Sequence, residues 1–248
     1  MRCRCVLHAN LNERFGEIHF QKLEKNNMIN RLNWPEIETV LLDMDGTLLD
    51  LHYDNHFWLE HVPRRYAEYK NLPIEVAKEK VLDRYRQVEG SLNWYCFDYW
   101  TETLGLDIIQ LSREVAYLIA EHPHVQEFLQ TLRSWGKRVI LATNSHHQGI
   151  ELKMQHTRLA GWFDQVISSH SLGFPKEHPN FWQALQEVES YQPAHTLLID
   201  DSLPVLRAAR NYGITWLIAI QQPDTRQPPR SISEFFSIPG FQQLLRLI

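Results

Sequence analysis

The chain has 248 residues, 44% of them apolar, enough to bury a substantial core in one or two domains. A formal net charge of −5 without any basic stripe excludes a nucleic-acid polymer as the main partner. No apolar run approaches the ~18–20 residues of a membrane span and no secretory signal is visible, so the expectation is a cytoplasmic globular protein.

Residues 1–30 are polar and lack a sustained period; they read as a disordered arm or as an extension from a start codon placed too early, with Met28 the working start. Cys3, Cys5 and Cys96 make no disulfide framework, which suits a reducing compartment. A metal clip of Cys3, Cys5 and His8 has the wrong spacing for a zinc knuckle and no second pair. The first strand runs into Val40–Asp50, VLLDMDGTLLD, where Asp43 and Asp45 stand two apart and Gly46-Thr47 break the strand. Side chains two apart share a strand face, so both carboxylates can converge on one point past the strand end.

Asp43 and Thr143 are 100 positions apart, far more than one crossover needs. Most of that interval, about 54–121, has helical spacing punctuated by Pro63, Pro73 and Gly90, which indicates an inserted helical domain. Downstream, short apolar runs at Val139–Ala142, Phe163–Ser168, Thr196–Ile199 and Thr215–Ile220 alternate with helical patterns at Val125–Ser134, Ile150–Leu159, Phe181–Val188 and Leu203–Tyr212. That rhythm predicts an α/β fold with a five-stranded parallel sheet, its core formed by residues 31–53 and 122–248. The tail after Pro223, with Phe235-Phe236 and Leu244-Leu245, either covers the core or meets a partner.

Open parallel sheets bind ligands beyond the carboxyl ends of their strands. Here those ends carry Asp43 and Asp45, then Thr143-Asn144-Ser145, then Lys176 in a following loop, then Asp200-Asp201. Carboxylates in that number suit Mg²⁺, and a lysine supplies a point charge beside a phosphate. A helix start after Thr143 offers free backbone N–H groups to an anion. Taken singly, Thr-Asn-Ser and Asp-Asp-Ser also read as helix caps, and Lys176 as a solvated loop residue.

The order DMDGT, LATNS, GFPKE and LIDDS resembles the four motifs of the haloacid dehalogenase (HAD) superfamily over about residues 37–220. The resemblance implies a Rossmannoid core with a helical cap between the first and second motifs. It makes Asp43 the nucleophile, Asp45 the proton donor and later the base, and Thr143, Asn144 and Lys176 the phosphoryl-binding set. Asp43, the main-chain carbonyl of Asp45, and Asp201 would hold Mg²⁺, with Asp200 as a further or supporting ligand. An acid at Asp45 fits alcohol leaving groups, which need a proton, and not halide.

The most distinctive stretch of the insert is LNWYCFDYW, with Trp94, Tyr95, Phe97, Tyr99 and Trp100. Its rings either stack on a nucleobase or form the insert's own core. Together with GFPKE and LIDDS it is similar to the bacterial purine 5′-nucleotidases acting on GMP and IMP. That likeness implies a small nucleotide as substrate, with Trp94, Tyr95, Tyr99 and Asn55 as contacts. A phosphatase for a small metabolite, such as phosphoglycolate or a sugar phosphate, is the alternative. In His52–Trp58, the residues Asn55, His56 and Trp58 either face the substrate or pack a hinge, and the oligomeric state is not readable.

Overall fold

The first strand decides the architecture. In a computed structural model that describes residues 32–246, β1 (Thr39–Leu42) is buried along its whole length. It lies between β2 (Arg138–Thr143) and β4 (Thr196–Asp200), with β3 (Gln165–Ser168) outside β2 and β5 (Trp216–Ile220) outside β4. The extension expected over residues 1–30 lies outside the described residues.

Among the described residues the sheet has six parallel strands in the order β3-β2-β1-β4-β5-β6, one more than the sequence reading expected. The sixth strand, β6 (Phe236–Ile238), pairs with β5 through Ile218 and Phe236. Three residues are too few to display an alternating pattern, and no helical crossover announces them. The tail therefore completes the core: Ile238, Phe241 and Leu244 are buried against one sheet face and Phe235 against the other.

Between β1 and β2 the chain forms α1 (His52–His56), a π-helical turn (Phe57–His61), α2 (Val62–Lys70), α3 (Ile74–Val88), α4 (Leu92–Tyr95), α5 (Phe97–Leu104) and α6 (Ile108–Glu114). The π turn has a local cause. Pro63 lacks an N–H, and its ring collides with the carbonyl four residues back, so the helix rewinds there. These helices close around their own apolar cluster, which includes Phe57, Val62, Val81, Phe97, Trp100 and Ile108.

The remaining helices flank the sheet: α7 (Val125–Ser134), α8 (His147–His156), α9 (Ser169–Leu172), α10 (Pro179–Val188), α11 (Leu203–Tyr212) and α12 (Phe241–Leu245). Strand alternation divides the core into two faces. Val40, Leu42, Val139, Leu141 and Ile199 meet α7 and α12, whereas Leu41, Ile140 and Leu198 meet α10 and α11. Each such fully buried side chain contributes about 1.5–3 kcal/mol of transfer free energy, so both layers hold β1 in place.

The two linkers between sheet and inserted helices run side by side. Asp50 N–H donates to Ala120 O, and His122 N–H to Leu48 O, both at 2.9 Å. The loop after β5 ties them down: Pro223 O accepts from Leu51 N–H at 2.8 Å and from the His122 ring at 3.0 Å. Asn55 Nδ2 donates to Asp224 Oδ2 at 2.8 Å, joining α1 to the same loop.

Candidate active site

The strand order reverses between β1 and β4, because β1 continues to β2 on one side while β4 continues to β5 on the other. The register aligns Leu42 with Leu141 and with Ile199, so the residues just beyond these positions come together. Asp43, Thr143, Asn144, Lys176, Asp200 and Asp201 all line one cavity of about 400 Å³, as does Asp45.

Lys176 organises this end. It is almost completely buried, and its Nζ donates to Asp43 Oδ1 at 2.6 Å, Asp200 Oδ2 at 2.7 Å and Ala142 O at 3.0 Å. An ammonium has three hydrogens, and here each meets an acceptor. Burial opposes the charge, but Asp200 and Asp43 outweigh it and hold the lysine above its ordinary range. Lys176 is thus no solvated loop residue. The loop is itself fixed, since Lys176 N–H donates to Asn144 Oδ1 at 2.9 Å and Trp182 Nε1 to Lys176 O at 2.9 Å.

The acids outnumber that lysine. Carboxylate oxygens of Asp43, Asp200 and Asp201 lie within 4.8 Å of one another. Burial pushes the Asp43 carboxyl well above the usual range, against the pull of Lys176 and with help from the neighbouring acids. Burial and then Asp200 push Asp201 up to about 7, with Arg230 opposing. An all-oxygen trio with excess negative charge is the donor set that a hard divalent cation stabilises, and the charge of such a cation would reverse those shifts. Gly46 permits the crowding: at φ +84°, a Cβ there would meet Asp201 Cγ at 2.9 Å.

Beside this trio sits a second charge network. Lys153 Nζ is 2.7 Å from Asp45 Oδ1 and 2.7 Å from Asp54 Oδ1. Burial works against its charge, but Asp45 and Asp54 hold it up, while burial and then Asp45 push Asp54 to about 7. Neither Lys153 nor Asp54 was singled out from sequence. The available signal was a lysine on the buried stripe of α8, beside Gly149, Ile150 and Leu152.

The phosphoryl-binding candidates divide. Thr143 is buried, with Oγ1 accepting from Ser145 N–H at 3.0 Å. The Asn144 side chain is occupied, accepting from Lys176 N–H and donating to Glu177 Oε2 at 3.0 Å, so its side chain positions the lysine loop. Thr143-Asn144-Ser145 do not cap α8, whose N-cap is His146. Asp200 does serve locally, since its Oδ1 accepts from Ser202 N–H at 2.9 Å.

Aromatic rings wall the opposite side of the cavity: Trp58, Tyr85, Trp94, Tyr95, Phe97 and Trp100. These rings pack on one another edge to face, as in Tyr85 on Trp100 at 4.7 Å, while also facing the cavity. Tyr95 Oη donates to Glu177 Oε1 at 2.7 Å, which ties the wall to the lysine loop. Asn55 and Trp58 line the cavity. Tyr99 does not: its position on α5 directs its ring outside the cavity, where it meets the Trp100 ring edge to face at 4.9 Å. His56 is also outside the lining.

Residues 37–213 match the model of a haloacid dehalogenase-like hydrolase. The chain is similar to the GMP/IMP nucleotidase YrfG of Escherichia coli K12, with 37% identity over 212 residues, covering 86% of this chain and 96% of that protein. A phosphoglycolate phosphatase of Nitrosospira multiformis is 28% identical over 187 residues, covering 71% of this chain and 80% of its own. The fold matches the crystal structure of a HAD phosphatase from Thermococcus onnurineus with a TM-score of 0.71 at 20% identity, over 85% of this chain and 97% of that one. With its family model spanning most of the chain and its strand ends bearing the acids and lysine in the expected order, this protein belongs to the haloacid dehalogenase-like hydrolases.

Proposed function

We infer that this hydrolase is a Mg²⁺-dependent phosphomonoesterase for purine nucleoside 5′-monophosphates, releasing nucleoside and phosphate. One observation carries the reading: a single cavity joins the acid–lysine cluster to a wall of six aromatic rings. Phosphate chemistry and base stacking thereby share one space. Similarity to a GMP/IMP nucleotidase over nearly the whole of that protein supports it.

Asp43 is the group placed to attack phosphorus, at the end of the central strand and held by Lys176 at 2.6 Å. Its oxygen forms a bond to phosphorus as the ester P–O bond breaks, giving an aspartyl-phosphate. Asp45, oriented by Lys153, delivers a proton to the departing alkoxide. The same carboxylate then takes a proton from water, whose oxygen attacks phosphorus and frees Asp43. Lys176, with Thr143 and Asn144 at the end of β2, stabilises the phosphoryl oxygens. Asp43, Asp201 and the Asp45 carbonyl would hold Mg²⁺, with Asp200 assisting; the ion would neutralise phosphate charge. Residues 54–121 act as the cap, presenting Trp94, Tyr95 and Asn55 to the nucleoside and excluding water.

The test is phosphate release with Mg²⁺ across GMP, IMP, AMP, UMP, phosphoglycolate and glucose 6-phosphate. Faster turnover of GMP and IMP than of AMP is expected. Turnover confined to phosphoglycolate or the sugar phosphate would keep the catalytic roles and reduce the aromatic wall to packing.

A further inference from the structure

A second cluster of ligating side chains lies outside the acid site. Cys96, in the link between α4 and α5, comes together with His146 at the start of α8 and His170 in α9. Donor atoms of all three lie within 4.8 Å of one another. None of the three lines the cavity, although Tyr95 and Phe97, on either side of Cys96, do.

Two observations point to a ligand. His146 is buried, yet its Nδ1 has no hydrogen-bond partner among the described residues; Nε2 of His170 is buried and equally unpartnered there. Ring packing alone does not call for them. His146 stacks on Phe97 at 5.7 Å, meets His170 edge to face at 5.1 Å and has Nε2 3.6 Å from the exposed Asp98 carboxylate, and none of these contacts uses the two orphaned nitrogens. Burial, and then His146 and His147, hold His170 down to about 4, and burial lowers His146 as well. Both rings are therefore neutral near pH 7, with lone pairs to donate.

We propose that Cys96, His146 and His170 form a binding site for a borderline divalent cation of the Zn²⁺ class, and that this cation staples the inserted helices to the sheet domain. A thiolate with two imidazoles favours Zn²⁺ over the Mg²⁺ that suits the acid trio. Bonds of ~2.0–2.3 Å in a tetrahedron set ligand atoms about 3.6 Å apart, somewhat closer than the 4.8 Å within which these donors lie. Three protein ligands leave a fourth position for water. Binding releases the thiol proton to solvent and changes no oxidation state. Because Tyr95 and Phe97 flank Cys96, the cation fixes part of the cavity wall and slows turnover wherever substrate exchange needs that wall to part from the sheet.

The test uses Co²⁺ as a spectroscopic stand-in, titrated into the full chain with excess Mg²⁺ present. One equivalent is expected to produce thiolate-to-cobalt charge-transfer absorption. That band should vanish in Cys96→Ser, weaken in His170→Ala and survive in a Cys3→Ser/Cys5→Ser double variant. Zn²⁺ should slow phosphate release by the unmodified chain and leave Cys96→Ser unaffected, while both turn over alike in Mg²⁺ alone. Circular dichroism checks that each variant is folded. No band in the unmodified chain, a band that persists in Cys96→Ser, or equal Zn²⁺ inhibition of both proteins overturns the proposal.

Discussion

The two ends of the cavity are built on different physics. At the sheet end, Lys176, Asp43, Asp200 and Asp201 are fixed by strand register and by charge, with Lys176 donating to three acceptors. At the helical end, Trp58, Tyr85, Trp94 and Trp100 are held by ring-on-ring contacts and by two neutral hydrogen bonds to main-chain oxygens, with no charge among them. A charge network fails when one member is lost, because its buried partners are left unpaired. A packed aromatic wall tolerates the loss of one ring more gracefully, because the loss is dispersion and area. Under the proposed function, the sheet end governs chemistry and the helical end governs which substrate is held.

Four substitutions break or sharpen that contrast. Asp43→Asn removes the carboxylate oxygen proposed to attack and should lower kcat by roughly 10⁴-fold or more, read by phosphate release, while nucleotide binding by calorimetry persists. Lys176→Met leaves Asp43 and Asp200 buried without their cation. It should lower kcat by roughly 10²–10³-fold. It should also lower metal-free stability by about 3–5 kcal/mol in chemical denaturation, and recovery of stability with Mg²⁺ would show the cation relieving the same repulsion. Trp94→Ala touches only the helical end. Loss of one stacking ring should raise KM for GMP by ~5–150-fold, with kcat little changed. A matching rise for phosphoglycolate would mean that Trp94 shapes the cavity without recognising a base. Tyr99→Leu, whose ring lies outside the cavity, should leave KM unchanged and lower stability by about 1 kcal/mol in thermal unfolding.

The cavity also shows what a sequence reading can reach. Asp43, Thr143, Asp200 and Asp201 were legible because strand ends in an open parallel sheet converge and each ends a short apolar run, and Lys176 because it stands in the loop after the third run. Asn144 was legible in place but not in use, since its side chain is turned to Lys176 N–H and Glu177. Tyr99 was grouped with its aromatic neighbours because a string of rings carries no information on direction until the helix axis is set. Lys153 escaped notice, as its partners Asp45 and Asp54 lie about a hundred positions away.

What the amino-acid order determined by itself was the alternation of strands and helices, the long helical insert, and the succession of acids, Thr-Asn and lysine along the sheet edge. Those follow from periodicity and local turn chemistry, which act over a few residues. Only the tertiary structure decided the sixth strand, the pairing of Lys153 with Asp45 and Asp54, the anchoring of the linkers by Pro223 and Asp224, and the meeting of Cys96 with His146 and His170. Each of these joins segments far apart in the chain, and such contacts depend on how packed layers bring distant surfaces together, which no local pattern encodes.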